Sequence, residues 1–181
     1  EIGVRLVGSE MCIRDSNQVY LNKAPAFFAT NILNVVCNGT NFRYGSLNQP
    51  DYTWSMWGST EDPYDLKGIE RTKRSIDLLL SPATLINIAD DFTLFQRSGA
   101  SGAKKIIPRY VQMEAAEAIH TRVREPNGGN GLIHHYQGTG KTLLMVYTAM
   151  KLLEDTDIEK PTILIGLDRV DLEKNVLDDF R

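Results

Sequence analysis

The chain has 181 residues, 42% of them hydrophobic, and a formal net charge of −3. That composition excludes a disordered tail, a disulfide-dense scaffold and a broadly basic nucleic-acid binder, so any contact with DNA has to come from a local patch. No apolar run reaches the roughly 18 to 20 residues of a membrane helix, and the start lacks the layout of a secretion signal. Cys12 and Cys37 lack CxxC spacing, so a cytoplasmic protein without membrane contact, disulfide scaffold or zinc site is expected.

Residues 1–16, which run Glu-Ile-Gly-Val-Arg-Leu-Val-Gly-Ser-Glu-Met-Cys-Ile-Arg-Asp-Ser, resemble translated sequencing-adaptor read-through and are set aside as an artefact. From Ala24 to Trp57 the residues favour strands. Ile32 to Cys37 and Asn41 to Gly45 flank Asn38-Gly39, a strong hairpin signal, which also makes Asn38-Gly39-Thr40 a turn rather than a glycosylation site. Trp54 and Trp57 follow in a loop punctuated by Pro50 and Pro63, and a core or interface role is expected for both. Lys67 to Leu80 carries Ile69, Ile76, Leu79 and Leu80 at helical spacing. Ser81-Pro82 then supplies a cap and a first-turn proline for a helix reaching Phe92. Ser98 to Ala103 is a run of small residues closed by Lys104-Lys105, and a domain boundary is expected there.

After that boundary, Pro108 is expected to open a helix with Val111, Ala115, Ile119 and Val123 on one stripe. Asn127 to Gly131 forms a turn, Gly131-Leu132-Ile133 a short strand, and Leu143 to Val146 the apolar start of another helix. A polar break from Glu154 to Lys160 leads to a second strand, Thr162 to Leu167. Asp168 then caps a final helix with Leu172, Val176, Leu177 and Phe180 on one face. This strand, helix, strand, helix order predicts the opening of a doubly wound parallel sheet, with a nucleotide at the carboxyl end of its first strand.

Between the first of those strands and its helix lies His135-Tyr136-Gln137-Gly138-Thr139-Gly140-Lys141-Thr142. Glycines let backbone N–H groups curl around phosphate oxygens, the lysine reaches the outer phosphates, and the threonine hydroxyl can ligate Mg²⁺. The helix start adds the positive end of its dipole. The usual pattern has a glycine five positions before Gly140, where this chain has His135. Two other arrangements are set aside. Pro50-Asp51 with Asp65-Leu66-Lys67 spells a nuclease signature, but its surroundings are polar and broken by proline rather than a buried strand. His134 and His135 point to opposite faces of a strand and have no spaced partner ligand.

Several separated motifs, in order, resemble the R (restriction) subunit of type I restriction enzymes, a superfamily-two helicase-like motor. They are Tyr110-Val111-Gln112, the 135–142 loop, and Thr162-Ile163-Leu164-Ile165 ending in Asp168-Arg169-Val170-Asp171-Leu172. Upstream, Phe27 to Asn31, Val35 to Gly39, Arg43 to Ser46, the Trp54 to Trp57 segment, Leu79 to Pro82 and Asp91 to Phe95 extend the resemblance, which covers about residues 17–181. In that family a histidine stands where other loops have glycine.

The resemblance implies an α/β chain: 17–60 as the carboxyl-terminal part of an endonuclease domain (α+β, with the Asn-Gly hairpin), 61–104 as a helical connector and linker, and 105–181 as the truncated start of a RecA-like, helicase-type ATP-binding lobe. It implies ATP and Mg²⁺ as cofactors. Gln137, Gly138, Thr139, Gly140, Lys141 and Thr142 would bind the nucleotide, with Thr142 on Mg²⁺, and Gln112 would read adenine. Read without the family, Gln112 is a solvated helix residue. Arg169 is the candidate for the DNA backbone, and Asp168 is better read as a cap. Double-stranded DNA and the methyltransferase and specificity subunits of a restriction complex are the implied partners. The intact protein would be an ATP-dependent type I site-specific deoxyribonuclease. No catalytic residue is expected within this chain: the nuclease carboxylates would precede Asn17, the acidic ATPase motif would follow Arg181, and the fragment alone would be inactive. The competing expectations are another superfamily-two DNA translocase, such as a type III restriction subunit, and a P-loop ATP-binding protein with no DNA role.

Overall fold

The computed structural model describes residues 19, 23–28, 30–47, 49, 53–97 and 103–166. Strands β1 (Asn34–Cys37) and β2 (Phe42–Gly45) pair antiparallel in the register Asn34↔Gly45 to Cys37↔Phe42. The hairpin expected from Asn38-Gly39 is present, but its loop spans the four residues from Asn38 to Asn41. The Asn38 side chain explains the difference. Its Oδ1 accepts from the backbone N–H of Thr40 at 3.3 Å and of Asn41 at 2.9 Å, so a side chain substitutes for a backbone turn bond, and Gly39 supplies the left-handed φ of 89°. Tyr44 extends the pairing by exchanging backbone hydrogen bonds with Ser55 at 2.9 and 3.1 Å.

Helix α1 (Gly68–Leu79) and helix α2 (Pro82–Asp90) follow, the second capped by Ser81, whose Oγ accepts from the Thr84 N–H at 3.2 Å. Phe42, Tyr44, Trp57, Leu79, Ile88 and Ile107 form the first core. Trp57 is a core residue, edge-on to Tyr44 with ring centres 5.2 Å apart. Strands β3 (Leu94–Arg97) and β4 (Ala103–Ile106) pair antiparallel, from Leu94↔Ile106 to Arg97↔Ala103. The expected linker therefore joins two paired strands; its residues 98–102 lie outside the described residues.

Helices α3 (Tyr110–Arg124) and α4 (Lys141–Glu154) pack together over the second core of Phe92, Ala115, Ala116, Leu144 and Tyr147. The buried face of α3 is Gln112, Ala115 and Ala116, rotated from the expected stripe, and Val123 is exposed. Two alanines leave room for the Tyr147 and Phe92 rings, whose centres are 5.5 Å apart. Polar clamps close the edges of this pair. Lys151 Nζ donates to Asp91 at 2.5 Å and meets Glu117 at 3.0 Å, while His120 Nε2 lies 2.7 Å from Asp155 and Arg124 pairs with both Asp155 and Asp157.

The expected parallel sheet is not formed among the described residues, whose sheets are the two antiparallel hairpins. Gly131–Ile133 and the described part of Thr162–Leu167 are irregular, with Leu132 90% and Leu164 94% exposed. The physical reason is the one that separates strands from helices. A helix bonds its own backbone, whereas a parallel strand needs a neighbour for its ladder and cover on both faces. Asp168, Arg169 and the final helix lie outside the described residues. No helix among the described residues is long and apolar enough to cross a membrane.

Candidate functional site

The loop from His135 to Gly140 turns directly into α4. Gly138 and Gly140 hold φ of 82° and 81°, a left-handed region that costs an ordinary L residue roughly 1–2 kcal/mol. The first bond of the helix, from Leu144 N–H to Gly140 O, is 3.1 Å long, and glycine at the cap has no side chain to satisfy the N–H groups of Lys141, Thr142 and Leu143. Those donors and the dipole of a 14-residue helix favour an anion here. A Cβ at Gly138 would meet nothing within 4 Å, so that side of the loop is open.

Lys141 is exposed in the first turn of α4, and its Nζ donates to the carbonyls of His135 at 3.2 Å and Tyr136 at 3.1 Å. The ammonium thus sits over the loop mouth, held by two neutral acceptors that an anionic oxygen outcompetes. Thr139 Oγ1 donates to Tyr136 O at 2.9 Å and stiffens the same turn. Thr142 follows Lys141 in the first turn, and Gln137 is exposed at the tip. His135 Nδ1 is buried and has no hydrogen-bond partner among the described residues.

Gln112 is only 2% exposed, which overturns its reading as a solvated helix residue. Its Oε1 accepts from the Arg109 N–H at 2.8 Å, while Nε2 donates to Thr139 O at 3.0 Å and Gly140 O at 2.9 Å. Both amide hydrogens are spent on the loop and one lone pair of Oε1 remains. The contact is close enough that a Cβ at Gly140 would stand 2.3 Å from Nε2, so glycine is required there by space as well as by φ. Arg109, which sequence reasoning passed over, adds a bond from its guanidinium to Gly138 O at 2.8 Å. A basic residue next to a helix start carries no signal of a partner 29 positions away. The glutamine three places after the Arg109 cap is the half of a capping box that does carry one.

Loop, lysine, threonine and Gln112 are therefore brought together. The remaining expected residue, Arg169, is outside the described region. Asp65 and Lys67 of the nuclease-like signature lie on an exposed turn before α1, and Asp51 is outside the described residues.

A family model described as SWI2/SNF2 ATPase matches residues 111–181. The chain is 32% identical over 141 residues to the putative type I restriction enzyme MjaVIIP endonuclease subunit of Methanocaldococcus jannaschii, covering 74% of this chain and 13% of that protein. It is 25% identical over 171 residues to the type I restriction enzyme HindI endonuclease subunit of Haemophilus influenzae, covering 90% of this chain and 16% of that protein. The chain thus spans about a sixth or less of the length of these curated relatives. No solved structure matches.

Proposed function

From the premise that this chain is R-subunit-like, similar to the endonuclease subunits of type I restriction enzymes, we propose that it carries the ATP-binding part of a DNA-translocating restriction motor. The observation that carries the reading is the placement of Lys141 at an uncapped helix start, beneath two left-handed glycines and tied through Gln112 to the helix before it. Gln137 to Thr142 hold the triphosphate. Lys141 exchanges its two loop carbonyls for phosphate oxygens, the helix N–H groups take the charge in front of them, and Thr142 offers its hydroxyl to Mg²⁺. The ion and nucleotide, when bound, supply the phosphoryl chemistry that drives stepping along DNA. Gln112 faces adenine with its remaining lone pair, and Arg169 contacts the duplex backbone.

In this reading residues 17–60 belong to the end of an endonuclease domain, 61–104 to a connector, and 105–181 to the first RecA-like lobe, whose parallel sheet takes up 131–133 and 162–167. The protein acts in the cytoplasm with methyltransferase and specificity subunits, translocating double-stranded DNA and cleaving it. The match to a SWI2/SNF2 ATPase favours, as a second reading, another superfamily-two translocase. The test is Lys141→Ala in a protein of the relatives' full length. ATP hydrolysis and ATP-dependent cleavage fall by about 10²–10³-fold or more. Undiminished ATPase overturns the assignment. DNA-stimulated ATPase without cleavage, with the loop intact, selects the second reading.

A further inference from the structure

Strands β3 and β4 form a two-stranded ribbon, and alternation along each strand sorts its side chains onto two faces. The inner face carries Leu94, packed against the cluster of Phe92 and Tyr147, and its cross-strand partner Ile106, which is buried. The outer face carries Phe95, 67% exposed, and its cross-strand partner Lys105. Side chains directly opposite each other stand about 4.5–5.5 Å apart at Cβ, so an aromatic ring and a lysine stem share one patch. The Phe95 ring belongs to neither core.

This patch carries positive charge without a counter-charge. Between Asp91 and Glu114 the sequence holds Arg97, Lys104, Lys105 and Arg109 and no acid, in a molecule of net charge −3. The two flanking acids are engaged elsewhere: Asp91 accepts from Lys151, and Glu114 accepts from the Thr60 N–H at 3.1 Å. Lys105 Nζ donates to a neutral carbonyl, Asn31 O, at 2.7 Å, and partial burial alone moves its pKa below the ordinary 10.5. The Lys104 side chain, which flanks the ribbon from the other face, has no hydrogen bond or ion pair among the described residues. A ligand that answers both the unpaired charge and the uncovered ring brings anions and flat apolar faces together, as a nucleic-acid strand does. A duplex hides its base faces in the stack, whereas a single strand presents them, and every base has one.

We propose that the β3–β4 ribbon is a contact for a single-stranded stretch of DNA, with a base stacked on Phe95 and backbone phosphates on Lys105 and Lys104. The choice of DNA rests on the motor reading above; the contact itself rests on the ribbon alone. It lies outside the 135–142 loop, and the nucleotide site takes no part in it.

Binding of the full chain to a labelled oligothymidylate of about 20 nucleotides tests this, with the matching duplex, an oligouridylate and inorganic polyphosphate as comparisons. Phe95→Ala should weaken the oligothymidylate at least about fivefold and leave polyphosphate, which has no bases, within about twofold. Lys105→Gln keeps a donor for Asn31 O and removes the charge. It should weaken both ligands and reduce the slope of log affinity against log salt by about 0.7 for the single strand. A folded Phe95→Ala protein that binds the oligothymidylate like the unaltered chain overturns the proposal, as does an unaltered chain that binds none. If the alanine variant does not fold, Phe95→Leu, which keeps apolar volume and loses the ring, takes its place with the same two outcomes. Duplex bound as tightly as the single strand overturns the stacking on Phe95, and oligouridylate bound more tightly overturns the choice of DNA. MgATP affinity should be unchanged by either substitution. A chain that binds the strand but no ATP overturns the nucleotide reading and leaves the ribbon contact standing.

Discussion

The two flanks of the loop are built from similarly apolar sequence and end in opposite states. Leu143, Leu144, Val146 and Tyr147, on the side that follows it, sit in a helix whose buried face packs on Phe92 and the α3 alanines. Leu132, Ile133 and Tyr136, on the side that precedes it, are exposed, Leu132 by 90% and Tyr136 by 78%. Hydrophobicity alone does not bury a segment; it needs a surface to meet. The helix brings its own hydrogen bonds and asks only for a groove, which α3 provides. The preceding stretch needs a ladder as well, and none is present among the described residues. The loop is thus anchored from its helix side and from Gln112.

The comparison breaks most visibly at Tyr147, which is fully buried. Tyr147→Ala removes the ring that fills the space between the α3 alanines and Phe92, and should cost about 3–5 kcal/mol, read as a lower urea midpoint. Tyr147→Phe separates ring from hydroxyl. The buried hydroxyl has no hydrogen-bond partner among the described residues, so its removal should be neutral or stabilising by up to about 1 kcal/mol. A Phe variant as damaged as the Ala variant would mean that the hydroxyl is bonded.

At the loop the two glycines differ in what they permit. Gly138→Ala should cost roughly 1–2 kcal/mol, because φ is strained while the space is open. Gly140→Ala carries the same strain and also displaces the Gln112 amide from two carbonyls, a further 1–3 kcal/mol or so at about 0.5–1.5 per bond. In a Gln112→Ala background the two alanine variants should become equal. A difference that survives there would remove Gln112 as the anchor.

How much of this was legible in the sequence follows the same division. The Ser81-Pro82 cap and the Asn38-Gly39 hairpin are local devices, whose geometry is set by residues within four or five positions, and each appears close to where it is expected, as do the left-handed loop glycines, although the space at Gly140 is also set by Gln112. What was not legible is set by distant partners. The rotation of α3 onto Gln112 and Ala116 depends on where Tyr147 lies, and the bond from Arg109 to Gly138 joins residues whose own neighbourhoods contain no hint of it. A strand from Gly131 to Ile133 is expected from apolarity and length alone, and a strand is the element whose formation those two properties determine least.

The clamp on the far side of the helix pair gives a smaller, pH-dependent effect. Burial works against the Lys151 charge, but its hydrogen bonds to Asp91 and Glu117 outweigh that cost and hold its pKa above the ordinary 10.5. A raised lysine stabilises the fold fully below the unfolded value and loses that contribution as pH rises through the folded one. Stability should therefore decline above about pH 10.5, more steeply than in Lys151→Met. Asp155 acts at the other end. The Asp157 N–H, with His120 and Arg124, holds its carboxyl below 3.8, so its contribution is present above that value and is lost as pH falls through the lowered pKa. Parallel alkaline curves for the two proteins would remove Lys151 from the account.

The smallest expected effect is the sharpest check on the strand side. Leu132→Asp places a charge where the leucine is exposed, so in this chain the urea midpoint should move by no more than the equivalent of about 0.5 kcal/mol. The same substitution in a protein of the relatives' full length has a different expectation. If 131–133 there enters a parallel sheet covered on both faces, the aspartate is buried without a partner and should cost several kcal/mol. Equal, small effects in both proteins would mean that the segment stays outside any sheet, leaving the loop anchored from its helix side and from Gln112. A large effect already present in this chain would mean that Leu132 is buried in solution, and the contrast between the two flanks would fail at its first term.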